Sequence, residues 1–172
     1  MYSMLVRLVL ILISVLLGAV ELARGDVAVS VLPFAAAAML VWGHYRYGPV
    51  WLAFRKLRAG QAEKATHLLS QVRKPALLAS QARAYYEWIK ACLVLADGDL
   101  GTAESHLREA LSHRLRTSND RSTMEAQLAD VMLRKGHRKE AEALIAQAKA
   151  RKHKAEAARM LADVERSLEQ AT

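Results

Sequence analysis

The sequence predicts an all-α protein: an N-terminal transmembrane helical hairpin, then a short αα-solenoid, then a C-terminal capping helix. Three observations predict this fold. Two apolar runs open the 172-residue chain, small and aliphatic residues then recur every 38 residues, and the last segment repeats apolar residues at helical spacing. Recurrence at such an interval is typical of stacked helical hairpins, which build a surface for another protein rather than a pocket for chemistry.

The two apolar runs predict a membrane hairpin in residues 1–46, with spans at about residues 4–23 and 27–45. An α-helix needs about 20 apolar residues to cross the hydrocarbon layer, and both runs come close to that length. Arg7, near the start, is expected to reach the membrane interface with its long side chain. Four aromatic residues near the end of the second run are expected to form a belt at the headgroup boundary: Trp42, Tyr45, Tyr47 and Trp51.

Basic residues near the spans predict the orientation of the hairpin. Arg46, Arg55, Lys56 and Arg58 follow the second span, whereas Arg24 is the only basic residue of the connector. The positive-inside rule then puts both ends in the cytoplasm, so we expect a multi-pass protein of the inner, cytoplasmic membrane with its remaining domain in the cytoplasm. The alternative is that the first run is a cleaved secretory signal peptide, in which case that domain faces outward.

The formal net charge of +8 belongs to residues 44–172, because two basic and two acidic residues balance in residues 1–43. A basic domain can attract anionic lipid, acidic proteins or nucleic acid. Most of these cations alternate with glutamate and alanine, which is typical of solvated helix faces. The densest basic patch comprises Lys149, Arg151, Lys152 and Lys154, and it predicts either a contact with lipid phosphates or an acidic partner, or only a solvated turn.

Residues 47–172 carry the repeats, and five columns of residues keep the 38-residue interval. The columns are Gly60/Gly98/Gly136, Ala53/Ala91/Ala129, Leu57/Leu95/Leu133, Ala65/Ala103/Ala141 and Leu69/Leu107/Ile145. Each glycine is expected to make the turn between two helices, since glycine accepts positive φ without steric cost. The spacing predicts units at about residues 47–75, 78–116 and 120–150, and a capping helix at 154–170.

This pattern resembles the tetratricopeptide repeat, whose signature is a small residue in the first helix, a turn glycine and two alanines seven residues apart in the second helix. The third unit carries Ala129, Gly136, Ala141 and Ala148 at those places. In the first unit Val72 replaces the last alanine, and the period exceeds the family's interval of about 34 residues.

A further departure is that glutamates, Glu87 and Glu125, occupy the column where the family usually has an aromatic residue. Repeat families with longer periods therefore remain as alternatives, and an αα-solenoid follows from either. The order of membrane hairpin and repeats is also similar to the layout of HemY-type membrane proteins.

The resemblance implies that the first helices of successive units line a concave groove. If the groove-facing positions of that family are transferred to the second and third units, a protein partner is predicted to contact Tyr85, Trp88, Leu95, Asp130 and Arg134. Tyr85 and Trp88 would serve as aromatic anchors of the kind that dominate interfaces. The alternative is that both rings belong to the core, because aromatic residues three apart on a helix usually pack internally.

No arrangement of residues indicates catalysis, a cofactor or a metal site. The six histidines are scattered, Cys92 lies among apolar residues and is expected to be inert, and no motif for nucleic-acid recognition is present. We expect a membrane-anchored scaffold that binds a protein partner or helps to assemble a membrane complex. Two alternatives are an accessory subunit bound through its hairpin and a basic domain that binds anionic lipid.

Overall fold

The computed structural model describes residues 4–170, of which helices make up most, and no strand occurs among them. The chain divides between Gly48 and Pro49 into two compact units, an N-terminal hairpin unit and a C-terminal repeat unit. The predicted all-α helical-repeat fold is confirmed.

The hairpin unit consists of α1 (Met4–Ala23) and α2 (Val27–Tyr47), joined by a short turn in which Gly25 has a φ of 88°. Gly18 lies against the ring of Phe34, where a Cβ atom would stand 2.9 Å from the ring carbons. The absence of a side chain at Gly18 thus lets the two helices pack closely. The side chain of Arg7, expected at the membrane interface, lies outside the described residues.

Within the described residues, one helix, Val27–Tyr47, is long and apolar enough to cross a membrane. In α1, the apolar stretch is shorter and covers Leu8–Ala23. Pro33 sits inside α2 without ending it.

The repeat unit contains seven α-helices among the described residues, arranged as three helical hairpins and a final helix. They are α3 (Val50–Arg58), α4 (Ala62–Ser70), α5 (Ser80–Ala96), α6 (Leu100–Ser112), α7 (Ser118–Arg134), α8 (Arg138–Lys149) and α9 (Ala155–Gln170). The pairs α3–α4, α5–α6 and α7–α8 form the hairpins, and α9 packs against α7 and α8. A short 3-10 turn, Pro75–Leu77, links the first hairpin to the second.

The same turn closes each hairpin, and it explains the glycine column. Gly60, Gly98 and Gly136 have φ values of 72°, 81° and 82°. Beside each glycine the next residue donates its backbone N–H to the carbonyl five residues earlier, as His137 does to Met132 at 2.8 Å. This is the Schellman arrangement, in which a left-handed residue satisfies the last carbonyls of a helix.

The alanine columns form the contact between paired helices. All six alanines of the two columns are fully buried, and so is Leu107, whereas the leucines before the turn glycines are partly buried. Small side chains at these places let the helix backbones approach each other, and the aliphatic side chains fill the space between successive hairpins. Residues before α6 and α7 cap those helices: Asp99 accepts from the N–H of Thr102, and Thr117 accepts from that of Asp120, both at 3.0 Å.

Candidate protein-interaction groove

A cleft of about 190 Å³ runs across the helices that come first in each hairpin, together with the final helix. Its walls belong to α3, α5, α7 and α9. Its lining residues are Phe54, Leu57, Arg58, Trp88, Cys92, Asn119, Asp120, Thr123, Gln127, Glu156 and Met160. The lining combines apolar and aromatic side chains with amides and hydroxyls, the mixture that lets a site hold an apolar group while fixing its orientation.

Four aromatic rings from α3 and α5 pack together beneath the cleft. The ring centroids of Tyr85 lie 4.5 Å from Trp51, 5.1 Å from Phe54 and 5.7 Å from Trp88, and Phe54 lies 5.0 Å from Trp88. Tilted and edge-on pairs of this kind contribute about 0.5–1.5 kcal/mol each beyond the area that they bury. The cluster therefore joins the first hairpin to the second. Trp51, expected in an aromatic belt at the headgroups, contributes its ring to this cluster.

Polar atoms of two of these rings bond to α7. The Tyr85 hydroxyl donates to the Asp120 carboxylate, and Trp88 Nε1 donates to Gln127 Oε1 at 2.6 Å. Burial, and next the Asp120 carboxylate, raise the pKa of Tyr85 above its ordinary value of 10.0, so the phenol stays neutral and remains a donor. These two bonds fix α7 relative to α5 and hence the width of the cleft.

Cys92 lines the cleft beside the same amide. Its sulfur lies 3.8 Å from Gln127 Nε2. Burial raises the pKa of the Cys92 thiol to about 11, although a hydrogen bond with Gln127 acts in the opposite direction. A thiol with this pKa is protonated at neutral pH and is a poor nucleophile, so Cys92 acts here as a small apolar group.

An ion pair joins the first and last helices of the repeat unit beside the cleft. Arg58 Nη2 of α3 lies 2.7 Å from Glu156 Oε2 of α9. Both side chains are more than half exposed, at 57% and 70%, so solvent screens the pair and it contributes little to stability. Its importance is geometric, since it shows that the stack curves until α3 and α9 meet at the cleft.

The predicted partner-binding residues occupy different places in this arrangement. Trp88 lines the cleft but is only 7% exposed, and Tyr85 is 1% exposed beneath it. Leu95, Asp130 and Arg134 are not among the lining residues, and Asp130 and Arg134 pair with each other along α7 at 3.8 Å. Partner binding by these five residues stays a prediction.

Several lining residues were not anticipated from the sequence. Phe54 lies one 38-residue repeat before Cys92. Applying the groove-facing positions of the second unit to the first unit would therefore have predicted Phe54 as a lining residue. The repeat positions did not predict Gln127 or Met160 as lining residues. Gln127 shares its column with the buried Ile89, and Met160 belongs to the final helix, which was expected only to cap the stack.

The glutamates that stand where the tetratricopeptide repeat usually has an aromatic residue are buried and are paired with basic side chains. Glu87 and Glu125 are 3% and 2% exposed. Glu87 Oε1 lies 2.8 Å from Arg83 Nη2, and His106 Nδ1 lies 2.7 Å from its other oxygen. In the next unit Arg121 takes the place of Arg83, 3.9 Å from Glu125. An arginine four residues before a buried glutamate is thus a second repeated feature of these units.

The predicted basic patch is partly neutralised within the fold. Arg151 Nε lies 2.9 Å from Glu125 Oε2, and Lys149 Nζ lies 2.7 Å from Glu165 Oε1. Lys152 and Lys154 are exposed and line a second, polar cleft of about 460 Å³. Only two of the four predicted cations therefore offer an unpaired side chain among the described residues.

Within the part of the chain that the structure describes, no group of three or more His, Cys, Asp or Glu side chains is placed to hold a metal ion. The geometry instead defines a helical-repeat protein with a concave cleft across its first helices. Residues 94–164 match the family model of the tetratricopeptide repeat.

The predicted resemblance to the tetratricopeptide repeat is therefore confirmed for residues 94–164. The match begins at the end of α5 and extends into α9. Comparison with curated proteins and with solved structures found no match. Tetratricopeptide repeats mediate binding between proteins, so the match supports a protein-interaction scaffold in the general sense. The similarity of layout to HemY-type proteins stays a prediction.

Proposed function

We propose that this protein is a membrane-anchored scaffold that binds a segment of a partner protein in the cleft between α3, α5, α7 and α9. The observation that carries the proposal is the cleft itself, which lies on the first helices of the three hairpins, and whose α7 and α9 walls fall in the stretch that matches the tetratricopeptide repeat. Its apolar and aromatic side chains, together with the amide and hydroxyl groups among them, suit a peptide that inserts an apolar side chain and bonds through its backbone. We assign it no catalytic step.

The surface of the hairpin unit supports the membrane anchor. All but two of the large hydrophobic side chains that are exposed in the described residues lie between residues 6 and 47. A water-soluble protein rarely exposes so large an apolar surface, whereas lipid covers it at no cost. The helix Val27–Tyr47 is also long enough to span the bilayer. We place the repeat unit in the cytoplasm, as the basic residues after α2 favour.

Anchoring in the membrane lowers the intrinsic affinity that the cleft needs to hold its partner. A cleft of about 190 Å³ accommodates one or two side chains, so its intrinsic affinity is modest. A partner that is itself in the membrane meets the cleft at a high effective concentration, and a modest interface then suffices.

The test is site-specific photocrosslinking of the full-length protein in its native membranes. A photoreactive amino acid at Thr123, which is partly exposed and lines the cleft, is compared with one at Ser105, which is exposed on the second helix α6. We expect a protein adduct at Thr123 that is absent at Ser105. Equal labelling from both positions would contradict a cleft-specific partner.

A blocking substitution sharpens the same test. Thr123→Arg places a long side chain across the cleft, and Ser105→Arg adds the same charge elsewhere. A photoreactive residue at Leu57, which lines the cleft from α3, should lose its adduct in the first variant and keep it in the second. Retention of the adduct in Thr123→Arg would show that the cleft is not the binding site.

A second candidate is an accessory subunit held mainly through the hairpin. Ala35, Ala36 and Ala38 of α2 are exposed, and small residues on an outer helix face permit close packing by another membrane helix. Gly18, another small residue of the hairpin unit, instead faces Phe34 inside the hairpin. Crosslinking from Ala36 to a membrane protein, with none from Thr123, would favour this candidate.

A further inference from the structure

The positive charge of the chain is concentrated in the residues that directly follow the membrane helix. Residues 44–78 contain seven basic residues and a single acidic one, Glu63, so they carry a net charge of +6 of the total +8. Residues 79–172 carry only +2, with sixteen basic and fourteen acidic residues. The seven basic residues are Arg46, Arg55, Lys56, Arg58, Lys64, Arg73 and Lys74.

The cations of the first hairpin and the linker after it are largely free of partners in the fold. Among the described residues 49–78, Arg58 alone forms an ion pair, the one with Glu156. Arg55, Lys64, Arg73 and Lys74 are exposed, and Lys56 is partly exposed. We call these five residues the first-unit basic surface. Elsewhere in the repeat unit, arginines and lysines commonly face acidic side chains, as Arg108 faces Glu104 and Glu140.

Exposed apolar side chains are concentrated in the same hairpin and linker. In the repeat unit the only large hydrophobic side chains that are exposed among the described residues are Leu52, at 36%, and Leu77, at 50%. Both fall within residues 49–78. Free cations beside exposed aliphatic side chains are typical of segments that lie in the headgroup region, where cations meet phosphates and apolar groups enter the acyl boundary.

We propose that the first hairpin and its linker, residues 49–78, dock onto the anionic phospholipid headgroups of the membrane that holds α2. The inference rests on the membrane anchor of the proposed function and adds a second, electrostatic attachment to it. The chain connects α2 to α3 through Gly48 and Pro49 alone, so the chain length keeps the start of α3 within about 10 Å of the end of α2. The surface differs from the patch of residues 149–154, whose Lys149 and Arg151 are already paired.

Docking by this surface would orient the groove relative to the membrane. Each basic residue near an anionic surface strengthens binding about fivefold, so several cations together hold a tethered domain firmly. Screening by salt weakens the attachment, because the contacts are exposed and ionic.

The experiment uses the full-length protein in lipid nanodiscs. A fluorophore is attached at Leu52→Cys in a Cys92→Ala background, and its quenching by brominated lipid is compared between zwitterionic discs and discs with about a third phosphatidylglycerol. We expect at least twofold stronger quenching in the anionic discs, and loss of that excess in about 0.5 M salt. The same fluorophore at Ala143→Cys, an exposed position on α8, should show no excess.

A matched pair of charge variants locates the surface. Lys64→Gln/Arg73→Gln/Lys74→Gln should abolish the excess quenching at position 52. Lys152→Gln/Lys154→Gln/Arg159→Gln removes the same charge from exposed side chains outside the surface and should leave it intact. Equal effects of the two variants, or quenching that does not depend on anionic lipid, would overturn the inference.

The experiment gives different results if the membrane anchor is wrong and if only the docking onto lipid headgroups is wrong. If the wild-type protein does not enter discs of either composition and stays with the soluble fraction in flotation, the membrane part of the proposed function is wrong. If it enters both but quenching at position 52 is the same in each, the anchor stands and only lipid docking is wrong.

Discussion

The Nε–H of Arg151 is shared between the two carboxylate oxygens of Glu125, at 3.1 and 2.9 Å, and this contact fixes the segment after α8 to the side of α7. Glu125 is almost fully buried, whereas Arg151 is partly exposed. A buried carboxylate without a cation is costly, so the arginine is needed even though the pair as a whole adds little net stability.

Arg151→Leu is therefore expected to destabilise the repeat unit by about 2 kcal/mol, because Glu125 would keep only the more distant Arg121. Thermal unfolding of the full-length protein in detergent, followed by circular dichroism, measures the change. Lys152→Leu, at the neighbouring exposed position, should alter stability by less than about 0.5 kcal/mol. The double variant Glu125→Leu/Arg151→Leu should recover part of the loss. Equal melting of Arg151→Leu and wild type would contradict this role of the pair.

Gly98, in the turn between α5 and α6, and Gly101, in the first turn of α6, are expected to respond in opposite directions to substitution by alanine. Gly98 has a φ of 81°, so Gly98→Ala forces a side chain into the left-handed region and should cost about 1 kcal/mol. Gly101 lies inside α6, where an added Cβ would stand an ordinary 3.6 Å from Asp99. Gly101→Ala should stabilise by about 0.5–1 kcal/mol, since alanine favours the helix. Chemical unfolding of both variants decides the point, and a stabilising Gly98→Ala would contradict the turn geometry.

The helical hairpins could be predicted from the sequence because their determinants are local. The turn at Gly136 involves His137 and Met132, five residues apart, and the alanine columns recur at the 38-residue interval of the hairpins. Such features leave a periodic trace in a single sequence. The buried glutamates left a trace of the same kind, because Arg83 and Arg121 precede Glu87 and Glu125 by four residues, but the meaning of that pattern required their burial to be known.

The cleft could not be predicted in the same way, because it depends on how far the stack curves. Arg58 and Glu156 are 98 residues apart and meet only because small rotations between successive hairpins add up. The same holds for Trp88 and Gln127, whose contact depends on the distance between α5 and α7. No spacing in the sequence records these rotations.

Tyr85 should make stability fall at alkaline pH. Burial and the Asp120 carboxylate hold its pKa in the folded protein above the ordinary value of 10.0, so the folded state retains a proton that the unfolded state loses. The stability that this proton provides is complete below about pH 10 and is lost as the pH rises toward the folded pKa. The contribution of Tyr85 to the slope of the unfolding free energy against pH can reach about 1.4 kcal/mol per pH unit.

Tyr85→Phe should remove this contribution to the slope and, at neutral pH, destabilise by about 1–2 kcal/mol, because Asp120 loses a buried donor. Unfolding of wild type and variant in the same detergent, at neutral pH and at several pH values between 8 and 12, measures the change in stability and the change in its pH dependence. Parallel curves for the two proteins above pH 10 would show that the Tyr85 phenol is not held neutral by its surroundings.

The contact between Gly18 and Phe34 should determine how closely the two helices of the hairpin unit pack. A Cβ at position 18 would lie 2.9 Å from the ring, so Gly18→Val must displace Phe34 or separate α1 from α2. We expect faster amide hydrogen exchange in both helices of that variant, measured by mass spectrometry in detergent micelles. Phe34→Ala on its own leaves a cavity, whereas Gly18→Val/Phe34→Ala refills part of that space and should restore slow exchange. Exchange that is unchanged in Gly18→Val would mean that the helices do not pack through this pair.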